Sequence, residues 1–177
     1  YLLRLLSHHY KVAVLSRGYK RKTHGFVIAD ASSNASTIGD EAMQIHSKFP
    51  HVPVAVCEDR VKGVRLLRKR VEGLQVVILD DAYQHRSIRC GYYILLTPCN
   101  QLYIDDDLLP WGRLRDQKTQ AQKANTVIVT KCPDDMRPID RRVISNRLQL
   151  ASFQHVFFSY VRYGEIAAQG RPLVVTG

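Results

Sequence analysis

The residues of this chain whose types and spacing can do chemistry lie in a few short stretches. The strongest is Val76-Val77-Ile78-Leu79-Asp80-Asp81-Ala82-Tyr83-Gln84-His85-Arg86, in which an apolar run ends in paired acids. Burying the run forces the acids to the rim of a sheet. This is the Walker-B arrangement, in which one carboxylate holds magnesium between nucleotide phosphates, directly or through water, while its neighbour orients a water or a substrate hydroxyl. Paired acids after a strand also occur as turn formers. Gln84, His85 and Arg86 add a hydrogen-bonding group, a titratable imidazole and a fixed cation at the same rim; His85 equally reads as a satisfied structural histidine. A second stretch sets Arg17, Lys20, Arg21 and Lys22 around Gly18, an anion cradle or a solvated basic loop. In a third, Ile38-Gly39-Asp40-Glu41, two carboxylates precede a helix. The helix dipole favours them there with no function at all, whereas a sharp turn at Gly39 would aim one into the crevice as a base or a magnesium-directed acceptor.

Two further turns bear on nucleotide choice. Leu109-Pro110-Trp111-Gly112-Arg113-Leu114-Arg115-Asp116 carries arginines at i and i+2, suited to phosphate or sugar contacts, and is otherwise simply a loop. Thr130-Lys131-Cys132-Pro133-Asp134 has the outline of a guanine-reading N/T-K-x-D turn, but its acid comes one residue late and Pro133 stands in its place. A generic base-side turn is the better reading.

The elements that must position these groups are legible as apolar runs. Those at 12–15, 54–57, 75–79, 93–96, 126–130, 156–158 and 173–176 predict strands buried on both faces. Helices are predicted over 40–49 and 59–72; in the second, Val61, Val64, Leu67 and Val71 keep a helical spacing and six basic residues take the remaining faces. Alternation of strand and helix argues for an α/β fold with a mainly parallel sheet flanked by helices, whose ligands sit at the carboxyl ends of the strands. The segment 31–37 reads as a polar loop, and 100–114 as the longest stretch without periodicity. No internal domain boundary is predicted across residues 1–177. No G-x-x-x-x-G-K-[ST] phosphate loop occurs in the chain. The chain opens in what reads as mid-helix, so the expectation is an excerpt cut at both ends, with that loop just upstream of Tyr1.

At 45% hydrophobic and 24% charged residues the chain is neither a disordered tail nor a carrier of the ~18-residue apolar run of a membrane span. Its four cysteines show no short metal-ligand spacing and read as free thiols. The 26 Lys and Arg against 16 Asp and Glu give a formal charge of +10, which points to an anionic partner. Nucleic acid, nucleotide phosphate and an acidic membrane surface all select the same residues. No strand with interleaved aromatics and no helix-turn-helix pattern is present, so nucleic acid is not the expected partner.

Taken in order, several of these stretches resemble the tetraacyldisaccharide 4'-kinase family, the lipid A 4'-kinases of Gram-negative bacteria. They are Leu15-Ser16-Arg17-Gly18-Tyr19, Gly39-Asp40-Glu41, Val56-Cys57-Glu58-Asp59-Arg60, Leu79-Asp80-Asp81 through Gln84-His85-Arg86, Leu109-Pro110 with Gly112-Arg113-Leu114-Arg115, and Thr130-Lys131-Cys132-Pro133. The resemblance spans essentially the whole chain. It implies a P-loop NTPase-like kinase core with a smaller second lobe, peripheral on the cytoplasmic face of the bacterial inner membrane. It implies transfer of the γ-phosphate of ATP, with Mg2+, to the 4'-hydroxyl of an acylated glucosamine disaccharide phosphate, by a protein that acts as a monomer at an anionic membrane surface. Carried over by motif, Asp40, Asp81, His85 and Arg115 would be catalytic, with Asp40 as the base toward the sugar hydroxyl. Arg17, Gln84 and Asp116 would bind the nucleotide, and Glu41 and Asp80 would lie at magnesium. Three departures stand out: Asp116 replaces a longer glutamate, Gln117 stands where proline is common, and Ala82-Tyr83 replace Gly-Phe. The phosphate loop, the membrane-associating segment and a histidine said to pair with the base are expected outside these residues. The alternatives are another P-loop small-molecule kinase and a nucleic-acid-associated P-loop protein.

Overall fold

Each of the first six apolar runs is a strand in the computed structural model of the chain, which describes residues 1–162. The run at 173–176 lies outside the described residues. The chain divides into two units, Tyr1–Gly91 and Tyr92 onward.

In the first unit β1 (Val12–Ser16) runs parallel to both neighbours, β3 (Val54–Val56) and β4 (Val76–Leu79), and β2 (Val27–Ile28) closes the far edge antiparallel to β3. The order is β2-β3-β1-β4. All of β1 is buried, and its side chains alternate between two cores as a doubly covered strand requires. Val12 and Val14 join Leu3 of α1 (Leu2–Leu6), Ile38 of α2 (Ala35–Ile38) and Ala42 of α3 (Asp40–Lys48) on one face. Ala13 and Leu15 join Leu67 of α4 (Arg60–Arg70) and Val71 on the other.

Two local features set how the helices meet this sheet. The segment read as a polar loop at 31–37 contains the single turn α2, opened by a reciprocal capping box between Asn34 and Thr37. In α4 the position nearest the sheet is Gly63: a Cβ there would fall 2.8 Å from Leu15 Cδ2 and 3.0 Å from Cys57 Cβ. The helix therefore lies closer to β1 and β3 than its flanking valines would allow. Gly63→Val is expected to overpack this contact at a cost of about 1–3 kcal/mol, read as a lower Tm with an unchanged far-ultraviolet spectrum.

The second unit carries β5 (Ile94–Pro98), β6 (Thr126–Thr130) and β7 (His155–Phe158), all parallel in that order. Parallel neighbours need crossovers. Two short 3-10 turns, at Tyr103–Asp105 and Lys118–Lys123, lie on the first crossover, and α5 (Pro138–Leu148) forms the second. The sequence reading contained no α5. The helix opens with proline in its first turn and an Arg137–Asp140 ion pair, and among its described residues only Leu148 is buried. So thin an apolar stripe leaves little periodicity to detect. The mainly parallel α/β character thus holds, distributed over two sheets. Among the described residues no helix is long and apolar enough to cross a membrane.

Candidate active site at the strand ends of the first unit

Backbone register brings three chain segments to one rim. Leu15 pairs with Leu79, and the Asp80 N–H donates to Leu15 O at 3.0 Å. On the other side Ser16 pairs with Val56, and the Cys57 N–H donates to Ser16 O at 3.0 Å. Residues 16–18, 57–60 and 80–81 therefore leave three neighbouring parallel strands side by side, at the end of the sheet where such folds bind ligands.

The charges gathered there act on one another. Burial and the adjacent Asp81 charge push the Asp80 carboxyl above the usual aspartate range, against the pull of the Asp81 backbone N–H and the Arg60 charge. Burial, with help from Arg60 and Arg17, pushes the His85 imidazole below its usual range, and Asp81 opposes the shift. His85 is thus neutral at pH 7, with one ring nitrogen able to accept a hydrogen bond. Its backbone N–H donates to Ala82 O at 3.0 Å, closing a turn that contains the half-buried Gln84 and follows Asp81, which adopts a left-handed φ of 43°.

Asp40 and Glu41 reach the same end of the unit through glycine chemistry. Gly39 sits at φ 86° and ψ 156°, a backbone region open essentially to glycine alone. A Cβ there would stand 2.9 Å from Tyr19 O and 3.1 Å from Gly18 C. The amino end of α3, with exposed Asp40 and Glu41 as its first residues, is therefore held against the segment that follows β1. This is the sharp turn expected from the sequence. Gly39→Ala is expected to cost about 1–3 kcal/mol in stability, and a Tm equal to that of the parent would refute it.

The basic loop after β1 is organised differently from a four-cation cradle. The Arg21 side chain is buried; its Nη2 donates to Gly25 O at 2.6 Å and pairs with Glu58, which also accepts the Gly25 N–H at 3.0 Å. Thr23 Oγ1 donates to Thr37 O. Arg21 thus ties the loop to Glu58, two residues past β3, and Arg17, Lys20 and Lys22 remain exposed. At Glu58 burial favours the neutral acid, but hydrogen bonds from its own backbone N–H, from Arg21 and from Gly25, together with the Arg21 charge, outweigh it and hold the carboxyl below the usual glutamate range. A lowered folded value means stability that is fully present at neutral pH and lost as the pH falls through that value. Glu58→Gln is therefore expected to lower Tm at pH 7 and to match the parent in acid, below the glutamate range.

Arg60 was missed by sequence reasoning, which placed all six basic residues of 59–72 on exposed faces. It is 1% exposed. Its Nη1 donates to Cys57 O at 2.6 Å, while Nε and Nη2 are buried with no hydrogen-bond partner among the described residues. Two unmet donors cost about 1–3 kcal/mol each in a folded protein, so the position calls for an explanation. A usable signal was present: Asp59 caps the helix, accepting the Lys62 N–H at 2.9 Å, so Arg60 is the first helical residue after a parallel strand.

Arg115 and Asp116 belong to the second unit, in the loop after β5. Asp106 Oδ1 accepts the Asp107 and Arg113 N–H groups at 2.9 and 3.1 Å, and the Leu114 N–H donates to Asp107 O at 2.9 Å. Arg113 Nη1 donates to Gln101 Oε1 at 3.0 Å. The closed loop leaves Trp111 at its tip and Arg115 exposed, with Asp116 half-buried and accepting the Gln117 N–H at 2.9 Å. Beyond β6, Lys131 takes a left-handed φ of 55°, and Cys132 is a buried free thiol whose ionisation burial and Cys99 both disfavour.

Among the described residues no cluster of three or more histidine, cysteine or acidic side chains forms a metal cage. Magnesium needs no such cage: one or two carboxylates suffice when phosphates and waters complete the shell. Asp80, its carboxyl raised by burial beside Asp81, fits that requirement, because a dication would relieve the repulsion.

A mainly parallel α/β fold with an acidic pair at a strand's carboxyl end and cations on the same rim has the architecture of a P-loop NTPase-like core. A sequence model described as tetraacyldisaccharide-1-P 4'-kinase (LpxK) matches residues 1–171, and the chain belongs to that family. It is 50% identical over 169 residues to a tetraacyldisaccharide 4'-kinase of Bacteroides fragilis, covering 95% of this chain and 45% of that protein. With the Flavobacterium johnsoniae protein of the same name the identity is 49% over 163 residues, covering 92% of this chain and 48% of that one. A crystal structure of LpxK from Aquifex aeolicus in complex with ATP superposes with a TM-score of 0.71 at 30% identity, over 89% of this chain and 47% of that one. The chain spans about half the length of the curated relatives it matches.

Proposed function

We propose that the protein to which this chain belongs transfers the γ-phosphate of ATP to the 4'-hydroxyl of the tetraacyldisaccharide 1-phosphate precursor of lipid A. The observation that carries this reading is the Asp80–Asp81 pair on one rim with Arg17, Arg60 and His85, in a chain of this family. Phosphoryl transfer asks mainly for positioning and charge neutralisation, and the residues divide accordingly. Asp40 takes the proton of the sugar hydroxyl. Asp80 and Glu41 hold magnesium, which when bound neutralises charge on the phosphate oxygens. Asp81 and His85 act at the reacting phosphate, while Arg17 and Gln84 orient the nucleotide; on the second unit, family resemblance alone gives Arg115 a catalytic role and Asp116 a nucleotide-binding one.

The substrate is a membrane lipid, and α4 supplies a surface suited to it. Lys62, Arg65, Arg68, Lys69 and Arg70 are exposed on that helix, and each basic residue near an anionic bilayer is worth about 1 kcal/mol. A peripheral monomer on the cytoplasmic face of the inner membrane, with no nucleic-acid partner, follows from this reading. Residues 1–177 contain no G-x-x-x-x-G-K-[ST] phosphate loop, so by themselves they are expected to show no turnover.

The test is ATP-dependent phosphorylation by the full-length protein, with the acylated disaccharide phosphate and simple sugars offered in parallel. Turnover confined to the lipid supports the proposal. Turnover on simple sugars alone would replace it with a soluble sugar kinase.

A further inference from the structure

The buried guanidinium of Arg60 has no place in the division of labour above. It is fixed from three directions: Nη1 is anchored on Cys57 O, Asp59 caps the first turn of α4, and Gly63 lets that helix lie close on β1 and β3. A group so held does not swing out to solvent. Its Nε and Nη2 are themselves buried, so an anion arriving from water does not reach them either. The charges that act on it are Arg17, Asp81, the Cys57 thiol and Asp80; the two carboxylates follow β4, separated from β3 by β1 alone.

We infer that Arg60 is a positioning residue for Asp80 and Asp81, a fixed buried cation that keeps the paired carboxylates together at the rim in the absence of any bound metal. Two like charges on adjacent residues at the end of a strand repel. A buried cation offsets that repulsion from behind, leaving the solvent side of the pair open to a dication and its phosphates. Removing the cation leaves both carboxylates without their counter-charge, whereas neutralising one carboxylate relieves their mutual repulsion and leaves the other facing Arg60. The catalytic consequence rests on the kinase reading above; the electrostatic coupling does not.

The experiment is a double-mutant cycle in the full-length protein with EDTA present and no nucleotide, read as Tm. Arg60→Met is expected to lower Tm. Asp80→Asn is expected to raise Tm by a larger margin in the Arg60→Met background than in the parent, because there the carboxylate has lost its counter-charge. Equal effects of Asp80→Asn in the two backgrounds would overturn the inference. Should Arg60→Met alone fail to yield folded protein, recovery of folded protein in the Arg60→Met, Asp80→Asn double variant supports the assignment, and failure of that variant too overturns it. Arg60→Lys, which keeps the charge, is expected to show the parent's response to Asp80→Asn. In the lipid kinase assay Arg60→Met should lose about a hundredfold in kcat with the KM for the acceptor unchanged, and Arg60→Lys should recover most of it. Coupling in EDTA without lipid phosphorylation by the parent protein would sink the kinase reading and leave Arg60 in place. Lipid phosphorylation with additive Tm effects would do the reverse.

Discussion

Asp40→Ala in the full-length protein is expected to lower kcat for lipid phosphorylation by about 10²–10⁴-fold, the range over which a positioned base accelerates proton transfer. The fold should survive. Asp40 is the first residue of α3 and is exposed, and the turn that sets it is made by Gly39 against Gly18 and Tyr19, with no help from the carboxylate. The loss for the helix dipole is under about 1 kcal/mol. Turnover and Tm therefore separate: a large fall in kcat with a small change in Tm fits a base, and unchanged turnover removes Asp40 from the role. Asp40→Asn keeps the helix start and should be as inactive as the alanine variant.

Asp80→Asn is expected to act on activity and stability in opposite directions. Loss of a carboxylate at magnesium removes several kcal/mol of transition-state charge stabilisation, about 10²–10³-fold in kcat. In EDTA the same variant should be more heat-stable than the parent at pH 7. Burial beside Asp81 raises the folded Asp80 carboxyl above the aspartate range, so its ionised form is less favourable in the folded chain than in the unfolded one. Stability from such a group is full in acid and is lost as the pH rises through the folded value. The gap between variant and parent should thus open as pH rises above the aspartate range and close in acid. A parent more stable than Asp80→Asn at pH 7 in EDTA would contradict this account of the pair.

The first sheet was legible because its strands are buried on both faces: Val12–Ser16, Val54–Val56 and Val76–Leu79 stand out as apolar runs whatever their partners. Strand β2 was not, since Val27–Ile28 is too short to show a period. The turn α2 was hidden inside a polar stretch because its cap uses Asn34 and Thr37 in place of the serine-glutamate pair that marks most such boxes. In the site, acids were easier to read than cations. Asp80 and Asp81 follow an apolar run and can lie only at the rim, whereas an arginine in a basic stretch reads as solvated until its burial is known. Arg21 and Arg60 both belong to that second kind. One clamps a loop to Glu58, and the other is buried and anchored on Cys57 O.

The parallel register of the three strands also governs which changes in length the protein can absorb. Arg17, Arg60 and Asp80 leave the same end of the sheet because Ser16 pairs with Val56 and Leu15 with Leu79 at the ends of their strands, and side chains on a strand alternate faces with a period of two. One residue inserted into or deleted from β1, β3 or β4 would turn the side chains that follow in that strand to the opposite face, and in β4 it would exchange Asp80 with Asp81 at the rim. The exposed stretch from Asp30 to Ser32 touches neither the rim nor the two cores, so it can lengthen or shorten without moving any of these groups. Within this unit, natural variation in chain length should therefore collect in that loop and spare the strands.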